Sequence, residues 1–233
     1  MAWARRKASI ITSSHLVAWP FDSSTLTRPR RWLAERERGW ITYLARDPRR
    51  LDLKGNRGWP IYVGQSKEFG TRVYNHLRKS EKLAQAHDSI RKRIREILHD
   101  GHVPIFEVLD RQPTRLRSLV SETNFARACR RRGYRIANLR RLQNVAGPPI
   151  TKHDIPIDWL WEFSLDEAIT DMILVKVGCQ GCGEALSIDP THFARPEIGP
   201  KDLRAIRNDA LWLVEPCTFC ARRGSRFVNL EVV

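Results

Sequence analysis

Apolar and polar residues alternate in "WITYLA", residues 40–45, with the period of two that a strand requires. "PIYVG", residues 60–64, repeats the pattern, and the polar, glycine-bearing "RDPRRLDLKGNRGW" between them reads as a loop, so the two strands predict a hairpin. Alternation places Ile61 and Val63 toward the core and Tyr62 on the opposite side. The period then changes. In "SKEFGTRVYNHLRKSEKL", Phe69, Val73 and Leu77 recur at helical spacing, while Arg72 and His76, at i and i+4, share another face. Ile90, Ile94, Ile97 and Leu98 predict a second helix closed by Gly101. "VPIFEVL" predicts a third strand, "TRLRSLVSETNFARACRRRG" a third helix stopped by Gly133, and "YRIANLRRL" a short extended segment.

This alternation predicts an α+β domain, a small sheet flanked by helices, over residues 39–143. Residues 1–38 form a basic N-terminal extension with one helix near "RRWLAERER". "NVAGPPITKHDIP" has boundary composition, because Gly147, Pro148 and Pro149 continue neither helix nor central strand, and a linker is placed at 144–163. Residues 164–233 make a second, smaller module, entered through the capping box Ser164-x-x-Glu167.

Charge narrows the partner. Lys and Arg number 41 against 26 Asp and Glu, a formal charge of +15, which favours a polyanion and nucleic acid above all. No apolar run is long enough to span a bilayer, and the start of the chain is interrupted by Thr12, Ser13, Ser14 and His15, unlike a secretory signal. The expected setting is cytoplasmic, with no membrane partner.

Four of the five cysteines form two Cys-x-x-Cys pairs, Cys179/Cys182 and Cys217/Cys220, each preceded by a strand-like stretch, "ILVKVG" and "LWLVE". Paired knuckles of this spacing suit one tetrahedral, structural Zn²⁺ in a zinc-ribbon-like fold. A thiol redox pair, or His192 in place of one cysteine, are the competing readings.

"ITYLA", "PIYVGQSKEFGTRVYNH" and "SETNFARACRRRGYRIAN", in that order, resemble the successive motifs of the GIY-YIG nuclease superfamily, most closely its phage-intron homing endonuclease branch. The chain departs from the family in reading I-T-Y for G-I-Y and in the long stretch, residues 44–61, between the tyrosines. The resemblance implies a metal-dependent DNA endonuclease of homing, mobile-element or restriction type, with Tyr43, Tyr62, Arg72, His76, Glu122, Asn138 and His87 at its active site. Glu122 would hold one Mg²⁺ or Mn²⁺, and Arg72 the phosphate. Tyr43 would be the first choice of general base, aided by Tyr62 and His76, with Asn138 ordering the backbone. The rivals are a non-catalytic nucleic-acid-binding protein on the same scaffold and a structure-selective repair nuclease. Arg130, Arg131, Arg132, Arg135, Arg140 and Arg141 crowd the end of the Glu122 helix and suit a phosphate backbone, and the zinc module would add either DNA docking or structure.

Overall fold

The computed structural model describes residues 7–12, 15–20, 39–82, 89–193, 202–208, 220–221 and 226–233. They fall into two compact units, Met1–Pro149 and Ile150–Val233, each mixing helix and sheet.

The first unit is built on β1 (Lys7–Thr12), β2 (His15–Pro20), β3 (Trp40–Leu51), β4 (Arg57–Ser66) and β5 (Ile105–Gln112), in the sheet order β2-β1-β5-β3-β4. All pairs are antiparallel except β1 with β5. The N-terminal extension therefore contributes a hairpin to the sheet. Its basic composition hid two short runs of strand formers, Ile10–Ile11 and Leu16–Val17. The helix expected near "RRWLAERER" lies outside the described residues.

The stretch between the tyrosines is strand rather than loop. Pairing of Asp47 with Trp59 and Leu51 with Arg57 leaves a turn of residues 52–56. Asp52 organises that turn: its carboxylate accepts from the backbone N–H of Lys54 (2.8 Å) and Asn56 (2.9 Å), and Gly55 takes the positive φ of 80°. Polar side chains read as loop because both faces of this ribbon end carry charge.

Helices α1 (Phe69–Lys82) and α2 (Ser89–His99) pack on one face of the sheet, where Phe69, Val73, Leu77, Ile90, Ile94 and Ile97 meet Ile41, Tyr43, Ala45 and Phe106. Helix α3 (Arg115–Arg131), capped by Thr114, covers the other face through Ala126 and Cys129 against Leu44 and Val63. Each fully buried aliphatic side chain contributes about 1.5–3 kcal/mol to this sandwich. Ile61 and Val63 belong to opposite faces, contrary to simple alternation. Ala45 pairs with Tyr62 but Arg46 with Pro60, so Ile61 is the extra residue of a β-bulge and turns toward α1 and α2.

Strand β4 is one of the two edge strands of the sheet among the described residues. The segment after Gly133 (φ 83°) is irregular rather than a strand, yet it lies along that edge: the Ala137 N–H donates to the Ile61 carbonyl at 2.7 Å.

In the second unit the expected linker is folded from residue 150 on, because the apolar Ile150, Ile155, Leu160, Trp161 and Phe163 that follow the prolines are buried. A short helix α4 (Ile157–Leu160) precedes α5 (Leu165–Thr170), whose capping box is formed as expected: Glu167 N–H donates to Ser164 Oγ (3.2 Å) and Ser164 N–H to Glu167 Oε2 (2.9 Å). Strands β6 (Ile173–Cys179), β7 (Ala185–Ile188) and β8 (Arg226–Val232) form an antiparallel sheet ordered β7-β6-β8, with α6 (Leu203–Asn208) between β7 and β8 in sequence. The stretch "LWLVE" lies outside the described residues. Among the described residues no helix is long and apolar enough to cross a membrane.

Candidate active site and cysteine cluster

Because β4 is an edge strand, groups from both faces of the sheet meet around it. Tyr62 and Gln65 from β4, Arg72 and His76 from α1, Glu122 from α3, and Asn138, Arg140 and Gln143 from the segment after α3 line one cleft of about 340 Å³. Five of the residues expected at the active site, Tyr62, Arg72, His76, Glu122 and Asn138, thus share one cleft.

Gly64 makes room for it. The residue sits within β4 opposite Tyr43, well before α1 begins, so its place is in the strand and not in the turn into the helix. A Cβ there would stand 2.6 Å from the Tyr43 hydroxyl and 2.6 Å from Tyr62 Cε1. Only glycine lets the two rings converge beside the strand.

Tyr43 lies behind the cleft rather than in its wall. Its ring is fully buried, packed 5.2 Å from Phe69 and 6.1 Å from Phe106 between centroids, and its hydroxyl is 2.9 Å from His76 Nε2. Burial, reinforced by Tyr62, holds the phenol well above its usual range although Arg72 pulls it down. Burial opposes the charge of Arg72, but the facing Tyr43 and Tyr62 hydroxyls hold its guanidinium firmly protonated.

Glu122 is 6% exposed. Burial pushes its carboxyl up to about 7, against Arg140, Gln143 and Arg72, which favour the ionised form. Asn138, also buried, replaces the missing neighbour of the edge strand: its Oδ1 accepts from Val63 N–H (3.0 Å) and its Nδ2 donates to the Val63 carbonyl (2.8 Å) and to Gln143 Oε1 (3.2 Å). Gln143 escaped sequence reading. It lies in a 3₁₀ turn, Arg141–Asn144, within a basic stretch whose charge masked its buried amide.

The arginines divide by environment. Arg140 lines the cleft, and Arg131, Arg132, Arg135 and Arg141 are exposed. Arg130 is turned inward, donating to the carbonyls of Ile136 (2.8 Å) and Gln143 (3.2 Å), so it pins the 134–144 segment rather than facing a backbone phosphate. His87 lies outside the described residues.

No protein-family model, curated protein or solved structure matches this chain.

In the second unit the sulfurs of Cys179, Cys182 and Cys220 all lie within 4.8 Å of one another and could hold a metal ion, with Cys179 and Cys220 3.7 Å apart. Cys217 lies outside the described residues. The first knuckle is shaped by its backbone. Gly183 N–H donates to the Cys179 carbonyl (2.9 Å), and the N–H groups of Cys182 and Gly181 hold the Cys179 thiol down to about 6, toward the thiolate that a metal needs. His192 is exposed and is not one of the three clustered residues. Cys129 is a core residue on the buried face of α3.

Proposed function

We propose that the first unit is a metal-dependent DNA endonuclease that hydrolyses phosphodiester bonds. The observation that carries this reading is the meeting of Tyr62, Arg72, His76 and Glu122 in one cleft beside edge strand β4. A permanently charged fork, two proton-handling groups and one carboxylate are the parts that phosphodiester hydrolysis calls for.

The residues fit one hard divalent cation, Mg²⁺ or Mn²⁺. Glu122 is a buried carboxylate whose ionisation burial opposes, and Gln65 Oε1 is a buried acceptor without a hydrogen-bond partner on the same cleft, suited to a water of a hydrated cation. When bound, such a cation would stabilise charge on the phosphate and on the leaving 3′ oxygen. Arg72 binds the non-bridging oxygens. Tyr62 and His76 line the cleft and orient and deprotonate the attacking water, while Tyr43, buried and held protonated, fixes the His76 ring from behind. This moves Tyr43 from the base expected from sequence to a positioning role. Arg140 and Gln143 favour the ionised Glu122, and Asn138 fixes the β4 backbone beside Tyr62.

Arg72→Ala is expected to lower the single-turnover cleavage rate on duplex DNA by about 100-fold or more. Cleavage by this variant at the wild-type rate would remove Arg72 from the mechanism, and duplex binding without cleavage by the wild type would favour the non-catalytic rival.

For the second unit the proposal is one structural Zn²⁺ held by Cys179, Cys182, Cys217 and Cys220, since four thiolates would leave no open position. Elemental analysis of the purified chain should find about one zinc per molecule. Cys179→Ser should lose most of it and lower the melting temperature, whereas an unchanged zinc content would contradict the assignment.

A further inference from the structure

The β3–β4 hairpin runs well beyond what the cleft uses. Tyr43 and Tyr62 serve the site at one end, yet the strands continue to Leu51 and Arg57. The far end is held in place: Leu53 N–H donates to the Tyr134 hydroxyl (3.1 Å), Tyr134 packs edge-on against Trp59, and Arg49 pairs with Asp47 and Asp100. The acids of the hairpin are engaged within the protein. Asp47 binds Arg49, and Asp52 caps its own turn.

What remains outward is cationic and apolar. Arg50 lies 4.4 Å over the Trp59 ring, and Lys54 and Arg57 are exposed with no carboxylate within ion-pairing distance among the described residues. Between them Leu51 and Leu53 are 62% and 60% exposed. Water alone gives no reason for two leucines at a tip whose backbone is fixed by hydrogen bonds. A duplex does: a two-stranded ribbon fits a DNA groove, where cations meet the flanking phosphates and apolar side chains meet sugars and base edges.

We infer that the β3–β4 hairpin is a groove-binding ribbon for the same DNA duplex whose phosphate occupies the cleft, an assignment that rests on the nuclease reading. Tyr43 pairs with Gly64 and Leu51 with Arg57, and with the irregularities at Ile61 and between Asp47 and Leu51 about six regular strand steps separate the two pairs, about 20 Å at roughly 3.3 Å per residue, so the tip reaches the duplex about six base pairs from the cleft. The charge of the chain, +15, favours this polyanion over a protein partner.

Binding of the full-length protein to a 30-base-pair duplex, measured by fluorescence anisotropy in EDTA over a range of salt, tests the assignment. Lys54→Ala/Arg57→Ala should reduce the slope of log Kd against log salt by about 2. Leu51→Ser/Leu53→Ser should weaken Kd about tenfold while leaving the slope unchanged, because it removes apolar contact and no charge. Both double variants alter exposed side chains, and their melting curves are checked against the wild type. If both bind with wild-type affinity and slope, the groove-binding role is overturned. Adding Mg²⁺ then separates the two readings: binding that depends on the hairpin without any cleavage keeps the ribbon and removes the nuclease, and cleavage indifferent to both variants does the reverse. A wild type that binds no duplex overturns both.

Discussion

Glu122→Gln is expected to reduce DNA cleavage by roughly 10³-fold or more and, at the same time, to stabilise the first unit at alkaline pH. Both effects come from one carboxyl group in a buried place. Burial raises its pKa from 4.5 to about 7, so between those values the folded chain holds a proton that the unfolded chain has released. Stability contributed by the protonated form is therefore complete below about pH 4.5 and is lost as pH rises through about 7. Holding the ionised group at pH 8 costs at most about 3 kcal/mol, and a glutamine of the same shape avoids that cost. Melting temperature measured against pH should fall more steeply between pH 5 and 8 for the wild type than for the variant. Mg²⁺ should narrow the gap by raising the wild-type curve alone. Parallel curves would mean that Glu122 is not held as the structure indicates.

Gly64→Ala should damage the first unit at its candidate site. Its Cβ would stand 2.6 Å from the Tyr43 hydroxyl, and that ring cannot withdraw, since it is fully buried among Tyr62, Phe69 and Phe106. Overpacking of this kind costs about 1–3 kcal/mol, and two rings in conflict place the cost near the upper end. Function should suffer more. Displacing Tyr43 breaks its 2.9 Å contact with His76, and a misplacement of about 1 Å at such a site lowers rate by about 100-fold. Gly133→Ala supplies the contrast: nothing lies within 4 Å of its Cβ, so only the positive φ of 83° is strained, costing about 1 kcal/mol. Urea denaturation and cleavage rates of the two variants, side by side, test the difference. Equal stability would show that the tyrosine pair yields more easily than its packing implies.

Helices α1, α2 and α3 were legible in the sequence because apolar positions recur at helical spacing, as Phe69, Val73 and Leu77 do, and periodicity is what a buried stripe leaves behind. The Ser164–Glu167 capping box was legible for a similar reason, being wholly local. Features set by distant contacts were not. The bulge at Ile61 adds one residue to a period-2 pattern, which reverses the face of everything beyond it, and no local residue type announces it. The far half of the hairpin looked like a loop because most of its polar residues face solvent on a ribbon, while the tight turn rests on Asp52 and Gly55. Residues 150–163 looked like a linker because Gly147, Pro148 and Pro149 dominate the reading, while the apolar positions after them report a core that only the fold assembles.

Within the site, residue types were readable and roles less so. Tyr43, Arg72 and His76 are close because strand register and an i, i+4 pair bring them together, which spacing can express. That Tyr43 stands behind the cleft follows from packing by Phe69 and Phe106, which spacing cannot express. Arg130 was grouped with its exposed neighbours, although the carbonyls of Ile136 and Gln143 occupy its guanidinium. The carboxamide chain from Val63 through Asn138 to Gln143 depends on a turn whose course is irregular, so Gln143 gave no periodic signal at all.

The most direct measurement is the fate of end-labelled duplex and branched DNA incubated with the purified full-length chain in Mg²⁺ or in EDTA, with Glu122→Gln alongside. The account predicts cleavage by the wild type in Mg²⁺ that leaves 3′-hydroxyl ends, none in EDTA, and none above background by the variant. Equal cleavage by wild type and Glu122→Gln, or intact DNA of every form in Mg²⁺, would contradict it.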